Sequence, residues 1–137
     1  GQVTGIESQP LIETVVGYGL AHFKAENWPI QEAMRGIRTV CADAFDYLKE
    51  QPDDSVDVVY FDPMFRHPLL ESRSLSPLRT VANHEPVSEA MIEEACRVAR
   101  RRVVFKENAR SLEFERLGFT KIMGGRYSKV HYGVRIL

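Results

Sequence analysis

The ten residues Val56 to Phe65, VDVVYFDPMF, constrain this chain more than any other stretch. Only Asp57 interrupts the apolar run from Val56 to Phe61. So short a run predicts a strand buried on both faces. It ends in Asp62-Pro63-Met64-Phe65. A carboxylate, a rigid proline and an aromatic ring therefore meet where a buried strand surfaces. In open α/β sheets the carboxyl ends of the strands form the edge at which ligands bind.

The remaining elements place that corner. Gln2 to Ile6 reads as a strand ending at Glu7. Ser8 or Gln9 can cap the helix that follows, and Pro10 suits its first turn, where a missing N–H costs nothing. Leu11, Val15, Gly19 and Phe23 form its apolar stripe, and it fades near Asn27. Residues 27–36 read as a loop with one helical turn. Ile37 to Ala42 is a second strand ending at Asp43, which can cap a helix from Ala44 to Glu50. Pro52-Asp53-Asp54-Ser55 is a turn.

After Phe65, residues 66–86 form a long Pro- and Ser-containing connection, the kind that serves as a lid or binding loop. Within it Ser76-Pro77 can start a short helix through Val81. Ser88 caps a helix with Met91, Ala95 and Val98 on its core face and Ile92, Cys96 and Ala99 alongside. Arg102 to Lys106 reads as another buried strand. Ser111 to Leu117 is a short helix closed by Gly118 in the left-handed conformation. Phe119 to Met123 and Val130 to Leu137 form a terminal hairpin around Gly124-Gly125. Alternating strands and helices predict an α/β, Rossmann-like sheet, mostly parallel with helices on both faces and an antiparallel hairpin at its C-terminal end.

Composition bounds what such a sheet can serve. With 137 residues, 44% hydrophobic and 27% charged, the chain has room for one globular domain. No apolar run approaches the ~20 residues of a membrane span, and no signal-peptide pattern opens the sequence. Cys41 and Cys96 have no metal-ligand spacing, so buried reduced thiols in a cytoplasmic protein are expected, with no metal site. His22, His84 and His131 add no metal spacing either. Residues 1–65 carry 4 Lys/Arg against 11 Asp/Glu, and residues 66–137 carry 14 against 8. The densest basic run is Arg97, Arg100, Arg101, Arg102, Lys106 and Arg110. Such a half suits a phosphate backbone, although a solvated charged face explains it as simply.

Glu7, Asp43 and Asp62 each follow a predicted parallel strand directly, so their carboxylates are expected on one sheet edge. Singly, Glu7 could answer a helix N-terminus, Asp43 a cap and Asp62 a turn. Three at successive strand ends point to a binding site. A carboxylate at a strand end beside a nucleotide commonly accepts both ribose hydroxyls, which suits Glu7. Asp43 with the backbone of Ala44 suits an adenine edge, and Asp62 then faces the reacting group.

With Gly5-Ile6-Glu7-Ser8, Ala42-Asp43-Ala44 and Asp62-Pro63-Met64-Phe65 at these intervals, the sequence resembles the class I S-adenosylmethionine-dependent methyltransferases. Within them it resembles the bacterial enzymes that methylate the exocyclic amine of a guanine in small-subunit ribosomal RNA, and it looks more similar still to their Gram-positive relatives, which share a GIESQPLIE-type opening and a DPMFR stretch. Met64 departs from the second proline of the general motif and narrows the match to that subgroup.

The resemblance implies S-adenosyl-L-methionine as cofactor, held by Glu7, Ser8, Asp43, Ala44 and Asp62. It implies ribosomal RNA as substrate. Asp62 and the Pro63 carbonyl would accept the N–H bonds of a base amine and localise its lone pair toward the sulfonium methyl. Phe65 would stack on the base, worth ~1–3 kcal/mol. Arg66 and His67 are candidates for closing over it, with a plain surface histidine the competing reading of His67. Lys106 either points to the same edge or snorkels at the surface. Other readings are a methyltransferase acting on DNA adenine or a small molecule, and a non-catalytic nucleotide- or RNA-binding module.

One part of the family pattern is missing. A glycine-rich loop should follow the family's first strand, but Gly17-Tyr18-Gly19 falls inside a predicted helix. Residues 1–137 are therefore expected to be the C-terminal part of a single methyltransferase domain lacking the first strand–helix unit. A gap between the strands ending at Glu7 and Asp62 would follow, with unpaired edges that favour self-association.

Overall fold

The structure is a computed structural model, and it describes residues 2–8, 17–20, 32, 34–63 and 86–137. Its strands are β1 (Val3–Glu7), β2 (Ile37–Cys41), β3 (Val56–Phe61), β4 (Ala99–Asn108), β5 (Lys121–Met123) and β6 (Val130–Ile136). Its helices are α1 (Ala44–Glu50), α2 (Glu89–Val98) and α3 (Glu113–Arg116). Residues 17–20 are also helical. Gln9 and Pro10 of the expected helix start, the stripe residues Leu11, Val15 and Phe23, the helix end near Asn27 and the helix from Ser76-Pro77 through Val81 lie outside the described residues.

Local signals produce the elements they predict. The Asp43 carboxylate accepts the Asp46 N–H at 3.1 Å and starts α1. Ser88 Oγ accepts the Met91 N–H at 3.1 Å and starts α2. Each such cap is worth about 1 kcal/mol. Asp54 takes φ 50°, a left-handed turn conformation that aspartate tolerates. Gly118, at φ 79°, closes α3.

Two sheets result. β1 and β2 pair in parallel, in register from Val3 with Ile37 to Glu7 with Cys41. The second sheet runs β3-β4-β6-β5. β3 and β4 are parallel, whereas β4–β6 and β6–β5 are antiparallel. The sheet is thus mixed, with the hairpin folded back so that β6, not β5, lies against β4. β1 and β3 share no ladder.

The core lies on one face of the second sheet. Val59, Phe61, Val103, Phe105 and Glu107 point inward at alternate positions. Ile92, Ala95 and Val98 of α2 and Leu48 of α1 pack against them. Phe105 stacks on Phe119 with centroids 5.7 Å apart and meets Phe114 edge-on at 5.8 Å. Burying side chains of this kind contributes about 1.5–3 kcal/mol each.

Burial of β3 and β4 on both faces does not hold. Val58 is 45% and Tyr60 51% exposed. The described helices α1 to α3 gather on the inward face, so the outward residues of β3 meet no helix among the described residues. In β4 the residues from Val103 to Asn108 alternate between fully and partly buried, while Arg100 to Arg102 are exposed. The thiol expectation is corrected in part: Cys96 is partly buried, but Cys41 is exposed on β2. Both are free.

Candidate functional site

Parallel pairing brings the ends of β1 and β2 side by side. The Ala42 N–H donates to the Glu7 carbonyl at 3.0 Å, one step past the last ladder pair. The Cys41 thiol faces the Ser8 carbonyl at 3.9 Å. Glu7, Ser8, Ala42 and Asp43 therefore share one edge, but Asp62, expected on the same edge, follows a strand of the other sheet. Glu7, Ser8 and Ala44 are half-buried, and Asp43 is exposed. Asp43 is a helix cap in fact: its Oδ1 is engaged by the Asp46 amide. A cap and a ligand-binding carboxylate are compatible roles, because a carboxylate offers two oxygens and about four acceptor sites.

Asp62 leaves the end of β3, and half-buried Pro63 follows it. Register explains its surroundings. Phe61 pairs with Phe105, so the next step sets Asp62 beside Lys106. Lys106 Nζ lies 3.6 Å from Asp62 Oδ2. Lys106 in turn stands opposite Tyr132 across the β4–β6 ladder. Tyr60 lies two residues before Asp62, on the same face. Its phenol is pushed above the usual 10.0 by partial burial first, then by the charge of Asp62 and by Tyr132. Tyr60, Asp62, Lys106 and Tyr132 thus form one group on the outward face.

Glu7 and Asp43 are brought together in one sheet, and Asp62 ends a strand of the other. Phe65, Arg66 and His67 lie outside the described residues. Gly17-Tyr18-Gly19 lies within the helical residues 17–20, so it does not supply a loop after a strand. Glu107 escaped the sequence reading. It is 1% exposed near the end of β4, and its Oε1 accepts the Asn108 N–H at 2.8 Å. Its parity with Val103 and Phe105 was the available signal. Among the described residues no group of three or more His, Cys, Asp or Glu is placed to hold a metal. No described helix is long and apolar enough to cross a membrane.

Residues 1–122 match the family described as "Putative SAM-dependent methyltransferase", and the chain belongs to that family. Members depend on S-adenosylmethionine as methyl donor. Over 134 residues the chain is 42% identical to "Uncharacterized protein YpiP" of Bacillus subtilis, covering 98% of this chain and 52% of that protein. It is 28% identical over 104 residues to "Ribosomal RNA small subunit methyltransferase J" of Pseudomonas fluorescens, covering 74% of this chain and 40% of that protein. The protein of the same name from Thioalkalivibrio sulfidiphilus is 29% identical over 114 residues, covering 80% of this chain and 44% of its own length. The chain thus spans about half the length of the curated relatives it matches.

The donor set on the β1–β2 edge fits the nucleoside end of that cofactor. Two acidic side chains at adjoining strand ends are acceptors, and ribose hydroxyls and an adenine amine are donors. A counterpart for the methionine end is not found among the described residues.

Proposed function

We propose that this chain is part of an enzyme that transfers a methyl group from S-adenosylmethionine to the exocyclic amine of a base, guanine in ribosomal RNA. The observation that carries the reading is Asp62 at the end of β3, in the sequence Asp-Pro-Met-Phe, within a methyltransferase-family chain. The names of the small-subunit ribosomal RNA relatives support the substrate class. The cofactor, when bound, supplies an electrophilic methyl on a sulfonium.

The chain's own residues supply placement and polarity. A base amine is a poor nucleophile because its lone pair is delocalised into the ring. Asp62 and the Pro63 carbonyl accept its N–H bonds, which localises the lone pair and aims it. On this reading Phe65 is the residue to stack on the base, and Arg66 and His67 are the candidates for contacting it. Glu7, Ser8, Asp43 and Ala44 hold the nucleoside of the cofactor. Positioning of this kind supplies much of the rate in an in-line transfer. A paired base has to leave its helix first.

In the full-length protein, Asp62→Ala should abolish methyl transfer and leave RNA affinity nearly intact. Retained transfer would remove the amine-acceptor role. Mapping base methylation in ribosomal RNA from cells with and without the gene identifies the target. An unchanged map would turn the reading toward DNA adenine, a small molecule or a binding module.

The same reading takes residues 1–137 as part of one methyltransferase domain, and the separation of β1 from β3 into different sheets is in line with it. Among the described residues β1 ladders only with β2 and β3 only with β4, and strand edges of that kind favour pairing with another chain. The isolated chain should bind S-adenosylmethionine weakly or not at all in a calorimetric titration. Micromolar affinity in a monomer would overturn this.

A further inference from the structure

We infer that Lys106 is a positioning residue for Asp62: it holds one carboxylate oxygen so that the other is presented to the substrate amine. This rests on the amine-acceptor reading of Asp62. The sheet register sets the two residues side by side. Phe61 pairs with Phe105 in the parallel β3–β4 ladder, and the next step places Asp62 beside Lys106. Nζ stands 3.6 Å from Oδ2. The interaction is therefore a charge beside one oxygen, not an optimal hydrogen bond. It leaves Oδ1 for an N–H donor.

The lysine is also held. Its side chain is 28% exposed, against 50% for Asp62. It lies opposite Tyr132 and on the same face as Tyr60. The upward shift of the Tyr60 phenol through both Asp62 and Tyr132 puts these groups within electrostatic reach of one another. A carboxylate at a strand end can rotate about χ1 and χ2. Misplacing an acceptor by about 1 Å costs on the order of a hundredfold in rate. A neighbouring cation fixed by the next strand restricts that rotation. It contributes little to folding, because half-exposed ion pairs are worth at most about 1 kcal/mol.

The test uses the full-length enzyme, small-subunit ribosomal RNA from cells lacking the gene, and S-adenosylmethionine. Lys106→Met should lower kcat about ten- to a hundredfold, with KM for both substrates within about twofold and an unchanged melting temperature. Lys106→Arg keeps a cation at that place and should recover most of kcat. Wild-type kcat in Lys106→Met, with Asp62→Ala inactive, would overturn the inference and leave the role of Asp62 standing. Activity in Asp62→Ala would instead remove the underlying reading. If Lys106→Met weakens RNA binding and flattens its salt dependence, the lysine contacts phosphate and the inference fails. If Lys106→Arg is as impaired as Lys106→Met at equal melting temperature, a retained charge is not what matters, and the inference fails again.

Discussion

Gly133 lies so close to Phe119 that a Cβ built on it would stand 2.8 Å from Phe119 Cγ. The same Cβ would meet Phe114 Cδ1 at 3.0 Å. Gly133 is paired with Phe105, and both rings pack on Phe105. A bare backbone at this point of β6 lets the aromatic cluster close over the sheet. Gly133→Ala should therefore destabilise the fold by about 1–3 kcal/mol, the usual cost of overpacking. Gly125→Ala, whose Cβ would meet only Ser128 at 3.8 Å, is the control and should stay within about 0.5 kcal/mol. Urea unfolding midpoints with unchanged slope would establish the difference.

Asp43 carries two assignments that substitution can separate. As a cap it accepts the Asp46 N–H, which an asparagine oxygen does equally well. As a cofactor ligand it needs full negative charge and a second acceptor. Asp43→Asn should keep the melting temperature of the full-length protein while weakening S-adenosylmethionine binding. Asp43→Ala should do both, with about 1 kcal/mol lost from the cap. Equal cofactor affinity in wild type and Asp43→Asn would reduce Asp43 to a cap alone.

Elements announced by local chemistry were legible in the sequence. Asp43 and Ser88 mark helix starts, Gly118 marks a helix end, and Gly124-Gly125 marks the hairpin turn. The exposure of β3 was not legible, because Val58, Val59, Tyr60 and Phe61 are all large and apolar. Period-two alternation is invisible when both faces carry such residues. The face was decided by where α2 packs, which is a long-range fact. The carboxylates at Glu7, Asp43 and Asp62 could be placed at strand ends from spacing alone. The sequence left two readings for Lys106, and its pairing with Asp62 is decided only by the β3–β4 register across a separation of 44 residues. Glu107 was hidden for a related reason: only its parity with Val103 and Phe105 turns it inward.

Arg97 fastens α2 to both α1 and the turn before β3. Its guanidinium donates to Leu48 O at 2.9 Å, Gln51 O at 2.7 Å, Asp53 Oδ1 at 2.6 Å and Glu94 Oε2 at 2.7 Å. The bond to Asp53 first, then that to Glu94, raises its pKa, so it stays charged throughout the accessible range. Two helix-end carbonyls and two carboxylates accept from it at once, and that demands a fork rather than a point charge. Arg97→Lys should lower the melting temperature nearly as far as Arg97→Met. Recovery by lysine would show that charge, not the fork, holds this junction.

The raised pKa of Tyr60 gives a pH dependence of defined sign. Its phenol is favoured in the folded state by burial, by Asp62 and by Tyr132. Above about pH 10 the unfolded chain releases this proton while the folded chain retains it. The contribution to stability is therefore complete below that pH and is lost as pH rises through the folded value. With Tyr60 half exposed the effect is small. Unfolding free energy should decline less steeply on the alkaline side in Tyr60→Phe than in the wild type. Parallel alkaline limbs in the two proteins would remove the coupling.

The basic run on β4 does not offer its charges equally to the RNA proposed as substrate. Arg100 Nε is committed to Asp57 Oδ1 at 2.9 Å, and its Nη1 donates to the Asp54 carbonyl at 3.2 Å. Arg101 and Arg102 are exposed on the same stretch. If all three met phosphates equally, each would release about one counterion on binding. The Asp57 pairing makes Arg100 the weaker contributor, because its charge is already offset by a neighbour. Replacing Arg101 and Arg102 with Gln in the full-length protein should reduce the slope of log affinity against log salt by about two. Replacing Arg100 alone should reduce it by clearly less than one. Affinity measured for small-subunit ribosomal RNA across a salt series decides this. Equal loss from all three single substitutions would mean that the Asp57 pair opens when RNA binds, and an unchanged slope would move the RNA contact off this strand.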